Sequence, residues 1–284
     1  MISDSRDSSI DKLKRQWWKI LVAAFLGSLF NVLLHGILPS GESVMQPSVI
    51  VQQGLLPLAF LIYVFVYFAL LGCIFVIIQE RLTGTKLVKG FIYGLFFCIL
   101  TFLLYLEPMP STATFSFTNL VWMLVDGGQF IILGLLLGGI LATDTKLDEN
   151  IEKSSNKLLI LVIPIIFLLG RLISYNVFQV YSNFQTLPLN TIIWVMGVGL
   201  GIGILYYYIL RPAIKTDSPL HTSLLFGIIF GVYLFMLNFA YALIVSFSLQ
   251  TYLDFIIRNG IDVIFVIIAI FAYEYLVKRL SGVV

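Results

Sequence analysis

Charge is what this chain has least of. Asp, Glu, Lys and Arg make up only 11% of its 284 residues, against 60% hydrophobic residues and a mean hydropathy of +1.01. Soluble domains carry about a quarter charged residues, so a chain this poor in charge cannot cover itself with polar surface in water. Long polar stretches are missing as well, which excludes a substantial aqueous domain, and the apolar excess excludes disorder, collagen and coiled coil. The cysteines number two, too few for a disulfide scaffold. Cys73 and Cys98 lie in apolar runs with no CxxC, His or acidic neighbour and read as small buried hydrophobes. Histidine is equally scarce, and His35 and His221 fall near opposite ends of their spans, too far apart to share a metal.

Catalytic signatures are absent too. The chain contains no HExxH, GxSxG, phosphate-binding Gly-Lys-Ser/Thr loop or aspartate-rich prenyl-diphosphate motif. No metal and no cofactor is expected, and an enzyme is disfavoured. The net charge of +2 and the short, scattered cationic clusters argue against a nucleic-acid partner.

What is present is a series of apolar runs. Crossing a hydrocarbon core takes about 20 apolar residues, and eight segments qualify: 18–38, 55–78, 88–106, 119–142, 158–180, 191–210, 220–246 and 252–277. Turn formers or charges bound them, such as Pro39-Ser40-Gly41 and Arg211-Pro212. Lys and Arg are retained on the cytoplasmic side during insertion. The N-terminus, the second, fourth and sixth connections and the C-terminus all carry them, whereas 39–54, 107–118, 181–190 and 247–251 have none. This alternation predicts cytoplasmic N- and C-termini in a multi-pass protein of the cell membrane, with the lipid bilayer as its first partner. Trp17-Trp18 and Tyr206-Tyr207-Tyr208 read as anchors at the inner interface, and Trp122, Tyr181, Trp194 and Tyr252 as anchors at the outer one.

A weak internal duplication runs through the spans. Ile20-Leu21-Val22 aligns with Ile160-Leu161-Val162, and the run from Gly90 through Gly94 with the run from Ser223 through Gly227. The second register sets Tyr105 against Asn238, and the alignment pairs Asn31 with Arg171 and Asp126 with Arg258 or Asn259. Four spans per unit is an even number, so both copies enter from the same side. The expected fold is an all-α integral membrane protein of eight transmembrane helices in two parallel four-helix repeats. Its expected parts are a cytoplasmic interfacial segment at 1–17, a first repeat at 18–142, a cytoplasmic linker at 143–157 and a second repeat at 158–284. Glycine pairs at spacing four (90/94, 134/138, 197/201, 199/203 and 227/231) read as sites of close helix packing within the chain.

Polar residues inside the spans are the functional clue, because a charge at bilayer depth costs several kcal/mol. Asp126, Arg171, Asp254, Arg258 and Asp262 are charged; Asn31, Gln129, Asn238 and Asn259 accompany them. Counted from the outer span ends, Asn31, Asp126, Arg171, Asn238 and Arg258 share a depth of about 10–14 Å. Asp126 and Arg171, each without an opposite charge one turn away, are expected to pair with each other or with the helix-eight stripe Asp254, Arg258 and Asp262, whose own neighbours can also pair. His35 reads as an ordinary helix-end residue or as an extension of this slab. Glu274 and Lys278 read as a solvated i,i+4 pair.

The candidate site is therefore Asp126, Arg171, Arg258, Asp262, Asn31, Asn238, Asn259 and Gln129. The leading functional expectation is a small-molecule or ion transporter, permease-like, with an outward-facing intramembrane site in which Asp126 and Arg171 contact the ligand or coupling ion and Asp262 carries a proton. Two alternatives stand beside it. One is a non-catalytic membrane subunit or assembly factor that meets a membrane protein partner. The other is an intramembrane enzyme acting on lipid or peptide.

Overall fold

A computed structural model of the chain describes residues 9–38, 46–107, 117–144 and 157–280. The turn at Pro39-Ser40-Gly41, residues 1–8 of the N-terminal segment, most of the loop 107–118 and most of the linker 143–157 lie outside the described residues. Eight helices are long and apolar enough to cross a membrane, as the hydropathy predicts. They are α1 (Ser9–Ile37), α2 (Leu56–Ile78), α3 (Lys86–Tyr105), α4 (Phe117–Leu141), α5 (Val162–Asn176), α6 (Pro188–Leu205), α7 (Pro219–Phe239) and α8 (Leu249–Leu280). Among the described residues there is no strand, only an isolated bridge between Pro47 and Val245.

Local chemistry explains where several helices begin. Pro57, Pro188 and Pro219 occupy the first turns of α2, α6 and α7, where a missing N–H costs nothing. Ser218 caps α7 by accepting from the His221 amide. α1 starts earlier than the apolar run suggests, and Trp17 and Trp18 sit exposed on its surface. A π turn, Tyr206–Leu210, interrupts α6 before Arg211–Ile214 completes it.

The packing separates the chain into halves. In the first, α1 packs on α2 and α4, and α3 packs on α4; in the second, α5 packs on α6 and α8, and α7 packs on α8. The halves meet where α3 touches α6 and α2 touches α7. An aromatic cluster fills this seam: the Tyr233 ring lies 5.2 Å from Phe97 and 5.7 Å from Phe130. Tyr63 and Tyr67 of α2 donate to the carbonyls of Met236 and Tyr233, so each phenol satisfies its hydroxyl on the opposite half. Residues 46–48 pair with 244–246 across the same seam.

The α3–α4 crossing is the tightest contact in the bundle. A Cβ on Gly90 would stand 2.0 Å from the Gly134 carbonyl oxygen, and one on Gly94 would stand 2.2 Å from that of Phe130. Glycine here lets backbone meet backbone, which is how helices associate where side-chain burial gives no advantage over lipid. In α6, Gly199 and Gly203 receive α5 and Gly201 receives Leu103 of α3. Apolar side chains such as Leu33, Ile62, Ile165, Ile228 and Ile264 are exposed around the perimeter, which suits a hydrocarbon surround and not an aqueous one.

Candidate functional site

The polar residues of the spans form two groups of contacts, one within the first half and one centred on the second. In the first half, Asn31 of α1 donates to the Gln129 side chain of α4. One turn further along α1, His35 Nε2 lies 3.0 Å from Asp126 Oδ1, and its Nδ1 lies 2.9 Å from the Asn31 carbonyl oxygen. Tyr105, the last residue of α3, donates to the second oxygen of Asp126, and Tyr241 donates to the Tyr105 hydroxyl at 3.2 Å. Gln129 also donates to the Asp126 carbonyl oxygen. Side chains from α1 and α3 thus meet the Asp126 carboxylate of α4, with Tyr241 behind Tyr105.

The second half holds the permanent charges. Arg171 of α5 and Asp262 of α8 form an ion pair at 2.7 Å, with side chains only 2% and 1% exposed. The guanidinium also reaches Tyr175, one turn along, and lies over the Phe167 and Trp194 rings at 5.5 and 5.3 Å. Cation–π contact and the carboxylate together compensate a charge that is otherwise costly to bury. Asn238 of α7 donates to Asn259 of α8 at 2.8 Å. Arg258 faces Glu107 at 3.6 Å, both 17% exposed, nearer the surface than the Arg171 pair.

Several expectations are corrected by this geometry. Asp126 does not pair with Arg171: α4 is held against α3 by the glycine crossing and against α1, whereas Arg171 faces α8. The helix-eight stripe does not neutralise itself, because Arg258 and Asp262 turn to partners on other segments and Asp254 is half-buried and accepts from Gln250. Trp194 is buried and donates its indole N–H to the Leu103 carbonyl, so it is packing for Arg171 and not an anchor. Tyr206 is also interior. Glu274, expected at a solvated helix end, is 5% exposed and takes Arg211 in two hydrogen bonds, at 2.5 and 3.2 Å, with a third from Tyr206.

Glu107 is the residue that sequence reading missed. It falls just past a span in a loop without Lys or Arg, and its only signal is that it stands two residues beyond Tyr105, at the depth of Arg258. Through these two residues the end of α3 joins the clusters, Tyr105 to Asp126 and Glu107 to Arg258.

Among the described residues, no group of His, Cys, Asp and Glu is arranged to hold a metal ion. The two groups are nevertheless incompletely satisfied. Asn31 Oδ1, Arg171 Nε, Ser174 Oγ, Asn259 Nδ2 and Asp262 Oδ1 are buried without a hydrogen-bond partner. Each such atom forfeits about 1–3 kcal/mol unless something meets it. Donors and acceptors are both represented, so these residues suit a polar or zwitterionic guest, an ion or water. No family model matches the chain, and no curated protein and no solved structure matches it either.

Proposed function

We propose that this chain is a transporter or permease-like protein of the cell membrane that admits a small polar molecule or ion to its intramembrane polar residues from the outer face. The observation that carries the reading is the set of unpartnered donors and acceptors around the Arg171–Asp262 pair, buried yet adjoining the more exposed Arg258 and Glu107. Arg171 and Asp262 offer a guest both charges, and Asn31, Asn238, Asn259 and Gln129 offer amides. Cytoplasmic termini follow from the cation distribution, since alternate connections lack Lys and Arg.

Two parallel four-helix repeats are part of the proposal. The register that aligns Ile20 with Ile160 carries Asn31 onto Arg171 and His35 onto Tyr175. The register that aligns Gly94 with Gly227 carries Tyr105 onto Asn238, Asp126 onto Asn259 and Gln129 onto Asp262. The pair Asn31–Gln129 then falls on Arg171–Asp262, and Tyr105–Asp126 falls on Asn238–Asn259. Matching bonded pairs support duplication more strongly than matching apolar residues do.

The test is current from proteoliposomes on a solid-supported membrane, challenged with amino acids, organic acids and monovalent cations. At least one class should give a current above empty vesicles, and the charge-neutral double variant Arg171→Gln/Asp262→Asn, folded by its melting curve, should abolish it. Silence across the panel, or an unaltered double variant, overturns the reading. A second reading, a non-catalytic subunit, is favoured by the closed 2.7 Å ion pair, which serves equally as glue; stoichiometric co-purification of a membrane protein partner would support it.

A further inference from the structure

The His35 ring stands between two acceptors. Its Nδ1 faces the Asn31 backbone oxygen at 2.9 Å, and its Nε2 faces Asp126 Oδ1 at 3.0 Å. A backbone carbonyl can only accept, and an ionised carboxylate can only accept. Neutral imidazole has one N–H and one lone pair, so with Asp126 ionised one of these contacts would set lone pair against lone pair. Tyr105 donates to the other Asp126 oxygen, which leaves that conflict in place. The geometry is satisfied in two ways only: both ring nitrogens carry a proton, or His35 keeps Nδ1–H and Asp126 is itself protonated and donates to Nε2. Either way the pair holds one proton more than neutral imidazole plus carboxylate.

The surroundings fit a site that gains and loses this proton. Phe60 and Trp122 flank the imidazole, with centroids at 5.2 and 5.4 Å, and the two polar side chains are 18% and 16% exposed. Apart from Asp126, the titratable groups in the hydrogen-bonded chain about this pair are Tyr105 and, through it, Tyr241, which reaches the surface at 41% exposure. Donor directions run inward, from Tyr241 to Tyr105 to Asp126. A proton bound at the Tyr241 oxygen can release the Tyr241 hydroxyl proton to Tyr105, whose own proton passes to Asp126 Oδ2, and a half-turn of the carboxyl group then presents that O–H to His35 Nε2. Each O–H broken is replaced by one formed. The equivalent positions in the second half, Tyr175 and Asn259, form no such acid–base pair.

We infer that His35 and Asp126 form a proton-binding site reached from the outer face through Tyr241 and Tyr105; its role as the coupling-ion site, in place of Asp262, rests on the transport reading above.

The chain has two histidines, and His221 is exposed at the start of α7, so His221→Asn leaves His35 as the sole imidazole for ¹⁵N NMR in liposomes. At neutral pH the spectrum should show two ring N–H groups, or else infrared difference spectra against Asp126→Asn should contain the carboxylic-acid C=O band of Asp126. In Asp126→Asn the amide can donate to Nε2, so His35 should keep a single N–H. One ring N–H with no Asp126 acid band, read on the His221→Asn protein alone, overturns the site whether or not the Asp126 variant folds. The spectra need no solute, so an extra proton without transport sinks only the transport reading, and transport without the extra proton sinks only this one.

Discussion

Under the proposed repeat, the two halves place bonded side-chain pairs at corresponding points and fill them with different chemistry. Where the first half has the neutral amides Asn31 and Gln129, the second has the ion pair Arg171–Asp262; where the first has Tyr105 and Asp126, the second has Asn238 and Asn259. One half holds an arginine–aspartate pair and the other a histidine–aspartate pair. The difference teaches that a polar position between helices constrains the presence of a bond and not its ionic character, since amide–amide and guanidinium–carboxylate pairs span similar gaps. The cost of removing a partner does depend on that character, and mutagenesis can expose it.

The most damaging change tests the half with the tighter crossing. Gly90→Leu should yield no monodisperse folded protein, because its Cβ would overlap the Gly134 carbonyl, whereas Gly231→Ala, 3.3 Å from a movable Val263 methyl, should cost less than ~1 kcal/mol. Size-exclusion profiles in detergent decide this, and equal behaviour of the two would erase the contrast between the crossings. Next comes Arg171→Gln, which strands the Asp262 carboxylate in the interior and should cost about 3–5 kcal/mol in thermal stability. Adding Asp262→Asn should recover most of that loss, and failure to recover it would mean that the charge was not the cost. Asn31→Ala at the matching point should cost about 1–3 kcal/mol, the lost hydrogen bond of Gln129. A cost as large as that of Arg171→Gln would break the comparison. Smallest is Asp126→Asn, which keeps an acceptor for Tyr105 and should shift stability by no more than ~1 kcal/mol while altering His35 protonation.

Much of the architecture is legible in the sequence because hydrocarbon imposes a length and a composition on every span. The eight helices follow from those constraints alone. Partners do not. Whether Asp126 meets Arg171 or His35 depends on which helix lies beside α4, and that is decided by the Gly90 and Gly134 crossing, whose reach no periodicity states. Glu107 was hidden because it follows a span, and Glu274 was misread because Lys278 at i+4 offered a plausible solvated partner while Arg211 lay beyond a proline. Spacing within one helix is readable; adjacency between helices is written in side-chain shape.

The π turn at Tyr206–Leu210 carries a consequence of a genetic kind. Such a turn closes over one residue more than an α turn, so everything after it is rotated by about 100° relative to an uninterrupted helix. Arg211 reaches Glu274 on α8 with that rotation in place. Straightening α6 at its present length would swing Arg211 off its carboxylate, whereas deleting one residue between Tyr206 and Arg211 and winding the helix regularly would leave Arg211 facing Glu274, because the lost residue and the lost rotation cancel. The extra residue thus behaves as an insertion that the turn absorbs, and a one-codon deletion at Tyr207 or Tyr208 should be better tolerated than one elsewhere in the spans.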